Sequence, residues 1–111
     1  MATIEECREA LQRLAERLAR NAEAKGKLDL DRSLALDITD LDHSFHGRLR
    51  GGRLTDITDG PDPNAKIRLI TKSDDLLALV DGGLDFARAW ASGQLSVKAN
   101  VFDLIKLRGL L

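Results

Sequence analysis

Gly82-Gly83-Leu84-Asp85-Phe86-Ala87-Arg88-Ala89-Trp90-Ala91-Ser92-Gly93, continued by Gln94-Leu95-Ser96-Val97-Lys98-Ala99-Asn100, is the stretch that decides the fold. Asp85 stands where a capping side chain would accept the first free amide of a helix. Phe86, Ala89 and Trp90 follow at spacings of three and one, which put both rings on one side of a short helix over Phe86 to Ala91. Ser92-Gly93 ends that helix, since glycine takes the left-handed conformation of a helix stop without cost. Gln94 to Asn100 then alternates, with Leu95, Val97 and Ala99 on the inner face of a strand. Asn100, with Asp103 three positions later, opens a last helix that carries Val101, Leu104, Ile105, Leu107 and Leu111.

Working back towards the N-terminus, Ser73 is expected to cap a helix running to about Asp81, with Leu76, Leu77, Leu79 and Val80 on one broad face. Ala65 to Thr71 reads as a strand. The loop before it, Asp59-Gly60-Pro61-Asp62-Pro63-Asn64, cannot lie inside a sheet because each proline lacks a donor. Leu34, Leu36 and Ile38 alternate with polar or small neighbours, as do Phe45, Gly47 and Leu49, so two more strands each have one apolar face. Gly51-Gly52 suits a tight hairpin, which returns Arg53 to Thr58 beside the second strand. Leu54 and Ile57 fall on opposite parities there, which implies a bulge or a weakly specified register. At the start, Thr3 and Glu6 form a capping box for a helix over Ile4 to Ala24. Its apolar stripe is Ile4, Cys7, Leu11, Leu14 and Leu18, and Lys25-Gly26-Lys27 is expected to end it. The order is α-β-β-β-β-α-α-β-α. It defines an α+β fold, a five-stranded mostly antiparallel sheet with helices packed on one face.

The succession of Gly-Leu-Asp at 83–85, small helix, Ser92-Gly93, alternating strand and Asn100-capped terminal helix resembles the sterol carrier protein 2 domain family. The resemblance covers the last forty or so positions. It implies a sterol carrier protein 2-like single domain over residues 1–111, with an apolar tunnel for a lipid, fatty acyl or sterol-like molecule between sheet and helices. Leu36, Ile38, Phe45, Leu69, Leu79, Leu95, Leu104 and Leu107 face that space, together with Leu84, Phe86, Trp90 and Val97. The residues by themselves describe a filled core equally well, and the resemblance is what implies a lined tunnel.

Composition narrows the alternatives. The 111 residues are 43% hydrophobic and 32% charged, a balance that belongs to folded soluble proteins rather than disordered tails. Seventeen basic and eighteen acidic residues give a net charge of −1, without the positive field on which nucleic-acid binding relies. No apolar run approaches the roughly 20 residues of a membrane span. Cys7 is the only cysteine, so no internal disulfide exists and the cytoplasm is the expected compartment. Phosphate-binding, dinucleotide-binding, nucleophile-elbow and zinc-protease motifs are all missing. The expectation is therefore a binding protein, not an enzyme, with no metal and no cofactor. His43 and His46 point to opposite faces of a strand and cannot jointly hold a metal from it. Asp40, Asp42 and the acidic loop read as turn chemistry.

Three secondary expectations remain. Arg48, Arg50 and Arg53 surround the hairpin tip, where they guard a sheet edge against aggregation or make transient contact with anionic lipid. Leu107, Leu110 and Leu111 offer a surface for a homodimer or partner, which makes a ligand-free interaction or accessory module the main alternative function. A small isomerase or hydratase would need a pocket base; Asp37 and Asp56 are the candidates, but Asp37 alternates away from Leu36 and Ile38.

Overall fold

The computed structural model describes residues 1–25 and 31–110, with side chains for 1–20 and 31–106. Helix α1 (Ile4–Lys25) is followed by strands β1 (Asp31–Ile38), β2 (His43–Arg50), β3 (Arg53–Asp59) and β4 (Ile67–Thr71). Helices α2 (Ser73–Asp81) and α3 (Phe86–Ser92), strand β5 (Leu95–Lys98) and helix α4 (Val101–Leu110) complete the order. This is the expected α+β succession, with every element in place. The expected stop of α1 at Gly26 lies outside the described residues.

The five strands form one sheet in the order β3-β2-β1-β4-β5. Three neighbouring pairs are antiparallel, and β1 with β4 is the parallel one, Leu36 facing Leu69 and Ile38 facing Thr71. Period-two patterning brings Leu34, Leu36, Ile38, Phe45, Leu49, Ile67 and Leu95 to one buried face. All the apolar clusters that join helices to the sheet use that face. The opposite face is polar: Asp37 accepts from Ser44 Oγ and from Arg68 Nη1, each at 2.8 Å.

Local chemistry explains the elements. Thr3 Oγ1 accepts from Glu6 N while Glu6 Oε1 accepts from Thr3 N, both at 3.1 Å, so the capping box closes α1 reciprocally. Gly51 and Gly52 have φ of 58° and 83°, the pair of positive values a two-residue hairpin turn requires. Beyond the turn the register slips between His46 and Arg48, with Asp56 at φ 57°. That bulge is why Leu54 and Ile57, opposite in parity, both pack into the core. A side chain at Gly47 would put its Cβ 2.8 Å from Thr55 O, so only glycine fits opposite the bulge.

The start of α2 differs from the expectation. Lys72 occupies the cap position without a side-chain hydrogen bond, and Ser73 is fully buried in the first turn. Asp40, in the β1–β2 turn, does the capping from a distance: its carboxylate accepts from Ser73 N at 2.8 Å and from Ser73 Oγ at 2.6 Å. Ser73 Oγ in turn accepts from Ala2 N at 3.1 Å, so a short polar network joins the N-terminus, the turn and α2. The Ser73 hydroxyl holds the Asp40 carboxyl below the usual carboxylate range.

Candidate functional site

The apolar interior divides in two. Under the first half of α1, Cys7, Ala10 and Leu11 close over Leu36, Ile38, Phe45, Leu76 and Val80. Of these, Cys7, Ala10, Ile38, Phe45 and Val80 border neither of the two spaces described next. Towards the second half of α1, Leu14 and Leu18 are only half-buried. There the helices part and leave an open groove of about 760 Å³ between α1, the α2–α3 turn, α3 and α4. Leu14 and Leu18 form one wall, Leu84, Phe86 and Trp90 a second, and Val101, Leu104 and Ile105 a third.

A smaller, wholly apolar space of about 90 Å³ lies between the groove and the sheet. Leu14, Leu18, Leu79, Phe86 and Trp90 border both, so these five side chains stand at the throat where the two spaces meet or are divided. The space ends on Leu36, Leu69, Leu95 and Val97 of the sheet. At about 24 cal/mol per Å³, keeping it dry costs about 2 kcal/mol, which a small domain tolerates. The space enclosed between sheet and helices is thus small, because Leu11, Leu14 and Leu18 of α1 fill most of it, and the larger volume lies in the groove.

Nine of the residues expected to face a ligand line one or both spaces: Leu36, Leu69, Leu79, Leu84, Phe86, Trp90, Leu95, Val97 and Leu104. Ile38 and Phe45 lie in the buried cluster beneath the start of α1, away from both spaces. The side chain of Leu107 lies outside the described ones. Leu11, Leu14 and Leu18 of α1 line the spaces without having been expected to, although their stripe was the available signal, and Val101 and Ile105 join Leu104 from the terminal helix.

The walls are fixed by local hydrogen bonds. Asp85 caps α3 by accepting from Arg88 N at 3.2 Å, and Gly82 and Gly93, at φ 87° and 84°, end α2 and α3. Asn100 Oδ1 accepts from Asp103 N at 2.8 Å and starts α4. Asp103, 1% exposed, accepts from Arg32 Nε of β1 at 3.0 Å. Val101, Phe102 and Ile105 of α4 are 67, 77 and 63% exposed, so this wall leaves apolar surface open to solvent.

The remaining candidates sit elsewhere. His43 Nε2 lies 3.1 Å from Asp59 Oδ2, and His46 Nδ1 donates to Gly60 O at 2.9 Å. Among the described residues no group of histidine, cysteine and carboxylates is placed to hold a metal. Arg48 and Arg50 pair with Asp31 at 2.6 and 3.7 Å, on the hairpin side of the sheet. Asp37 belongs to the polar outer face, and Asp56 to the bulge; neither borders the groove.

Comparison with known proteins places this geometry. A family model described as the alkyl sulfatase C-terminal domain matches residues 8–111. The chain belongs to that family. Among solved structures, this chain is similar to the stereoselective inverting sec-alkylsulfatase Pisa1 from Pseudomonas sp., at 26% identity and a TM-score of 0.56. The match covers 73% of this chain and 13% of the enzyme. The domain therefore spans about an eighth of the length of that sulfatase. Two sterol carrier proteins of Aedes aegypti are also similar. The palmitated sterol carrier protein 2-like 2 gives a TM-score of 0.70 at 15% identity, covering 96% of this chain and 91% of that one. Sterol carrier protein 2 in complex with palmitate gives 0.65 at 21%, covering 96% and 92%. This chain thus has the sterol carrier protein 2 fold, as the resemblance of its last forty residues implied. No curated protein sequence matches it. Among the described residues, no helix is long and apolar enough to cross a membrane.

Proposed function

We propose that the domain binds a lipid, sterol or other apolar small molecule in the groove and does not transform it. The observation that carries this reading is an open apolar groove lying against a smaller apolar space, with Phe86 and Trp90 bordering both. A volume of about 760 Å³ lies within the range of small-molecule sites, roughly 300 to 1,000 Å³. Binding would come from buried apolar area, with the tail of the molecule directed at Leu69, Leu95 and Val97. The palmitate held by two proteins of the same fold supports a chain-like ligand. Leu36, Leu69, Leu79, Leu84, Phe86, Trp90, Leu95, Val97 and Leu104 are the proposed contacts. A reducing cytoplasm remains the proposed compartment on the strength of the single buried Cys7.

The family match favours a second reading beside it, an accessory role. In that role the domain serves the catalytic part of an alkyl sulfatase, as a holder of the alkyl chain or as an interaction module.

Trp90 is the only tryptophan and sits in the throat, so its emission reports occupancy directly. Titration with palmitate or 1-dodecanol should give a saturable blue shift at one molecule per chain, and native mass spectrometry should show the same adduct. Unchanged emission together with no adduct would refute binding in the groove.

A further inference from the structure

The groove has a polarity of its own. Among the described residues only two charged side chains line it, Arg17 and Asp85; every other described lining residue is apolar or glycine. Asp85 is exposed and already accepts from Arg88 N as the cap of α3. Arg17 lies on the groove side of α1, between Leu14 and Leu18 at helical spacing, and is half-buried. Its Nη2 donates to Val80 O at the end of α2, one contact for a guanidinium that carries five donors. Among the described residues no carboxylate pairs with Arg17, whereas Arg8 and Arg13 on the same helix pair with Asp59 and Asp81.

We infer that the groove takes single-chain amphiphiles with an anionic head, a carboxylate or a sulfate, which Arg17 receives while the tail runs towards the throat. The inference rests on the groove being the binding site. Its physical basis is complementarity. Filling the groove with hydrocarbon strips water from the guanidinium, so a neutral head leaves donors unmet whereas an anion meets them in a medium of lowered dielectric. A planar fork also suits both carboxylate and sulfate oxygens.

The test uses dodecanoate, dodecyl sulfate and 1-dodecanol, each below its micelle-forming concentration, followed by Trp90 emission at pH 8. Both anions should bind on the order of tenfold more tightly than the alcohol. Raising the salt from about 0.05 to 0.5 M should weaken the anions and leave the alcohol unchanged. Arg17→Gln should bring all three to the affinity of the alcohol, and Arg17→Lys should keep part of the preference. Tighter binding of dodecyl sulfate would mark alkyl sulfates as the class, and tighter binding of dodecanoate fatty carboxylates; either supports the assignment. Equal binding of alcohol and anions by the unaltered chain, or a preference that survives Arg17→Gln, would overturn the role of Arg17 and leave the groove as a site. Should Arg17→Gln fail to fold, the salt dependence of the unaltered chain decides alone. Failure of all three to bind would overturn the groove as a site, and this inference with it.

Discussion

Arg32 Nε donates to Asp103 Oδ2 at 3.0 Å, so the first strand of the sheet holds the first turn of the last helix through one buried carboxylate. The Asp103 side chain is 2% exposed and that of Arg32 39%, which makes the pair stronger than a surface ion pair without a fully buried cation. Because Val101, Phe102 and Ile105 are largely exposed, α4 buries little apolar surface through them, and this polar link ties its first turn, and with it the third groove wall, to the sheet. Asp103→Ala should lower stability by about 2–3 kcal/mol in urea unfolding and weaken ligand binding as the wall loosens. An unchanged urea midpoint would show that α4 is held by other contacts.

Trp90 and Phe45 should respond in opposite ways. Trp90 stands half-buried in the throat, where neighbouring water can fill the space its removal leaves, so Trp90→Ala should cost only about 1–2 kcal/mol. Ligand affinity should fall tenfold or more, read by calorimetry since the fluorophore is gone. Phe45 lies in the buried cluster, and Phe45→Ala should cost about 3–5 kcal/mol while affinity of the folded fraction stays within about threefold.

The bulge makes a separate prediction. Gly47→Ala forces a Cβ to within 2.8 Å of Thr55 O and should destabilise by about 1–3 kcal/mol through displaced backbone. Asp56, at φ 57°, tolerates glycine, whereas Asp56→Val should cost about 1–2 kcal/mol because a branched side chain resists the left-handed conformation. Thermal melts of the three variants check the order.

Stability should fall at both ends of the pH scale. Burial, with Asp40, Glu6 and Asp74 nearby, pushes the Cys7 thiol up to about 11. A raised folded value means that the contribution is complete below the unfolded thiol's 9.0 and is lost as pH climbs from there towards 11. Asp31, Asp40 and Asp59 are held below the ordinary 3.8, by hydrogen bonds from Arg48, Ser73 and Arg8 respectively, so their contribution is lost as pH drops below that value. A thiol reagent at pH 8 should leave native Cys7 unmodified and label it fully in denaturant. Rapid labelling of the native chain would contradict the burial.

Much of this fold was legible because its signals are local. The Gly51-Gly52 turn, the Thr3 and Glu6 box, the caps Asp85 and Asn100 and the off-parity Leu54 and Ile57 each act within a few residues. What escaped was non-local. The parallel seam between Leu36 and Leu69 and the capping of Ser73 by Asp40 across the fold leave no trace in spacing. The site was legible as a set of apolar residues but not as a shape. A stripe such as Cys7, Leu11, Leu14 and Leu18 looks uniform, yet Cys7 packs into the buried cluster, Leu11 borders the inner space, and Leu14 and Leu18 border the groove. That division depends on where α3 and α4 stand relative to α1, which hydrophobic periodicity does not encode.

Methyl NMR during titration with 1-dodecanol tests the central claim most directly. Occupancy of the groove predicts saturable shifts at Leu84, Leu104 and Val97, along the path from mouth to inner end, with Ile38 and Val80 unmoved in the buried cluster. Shifts spread evenly over both clusters, or none at Leu84 and Leu104 at saturating alcohol, would contradict it.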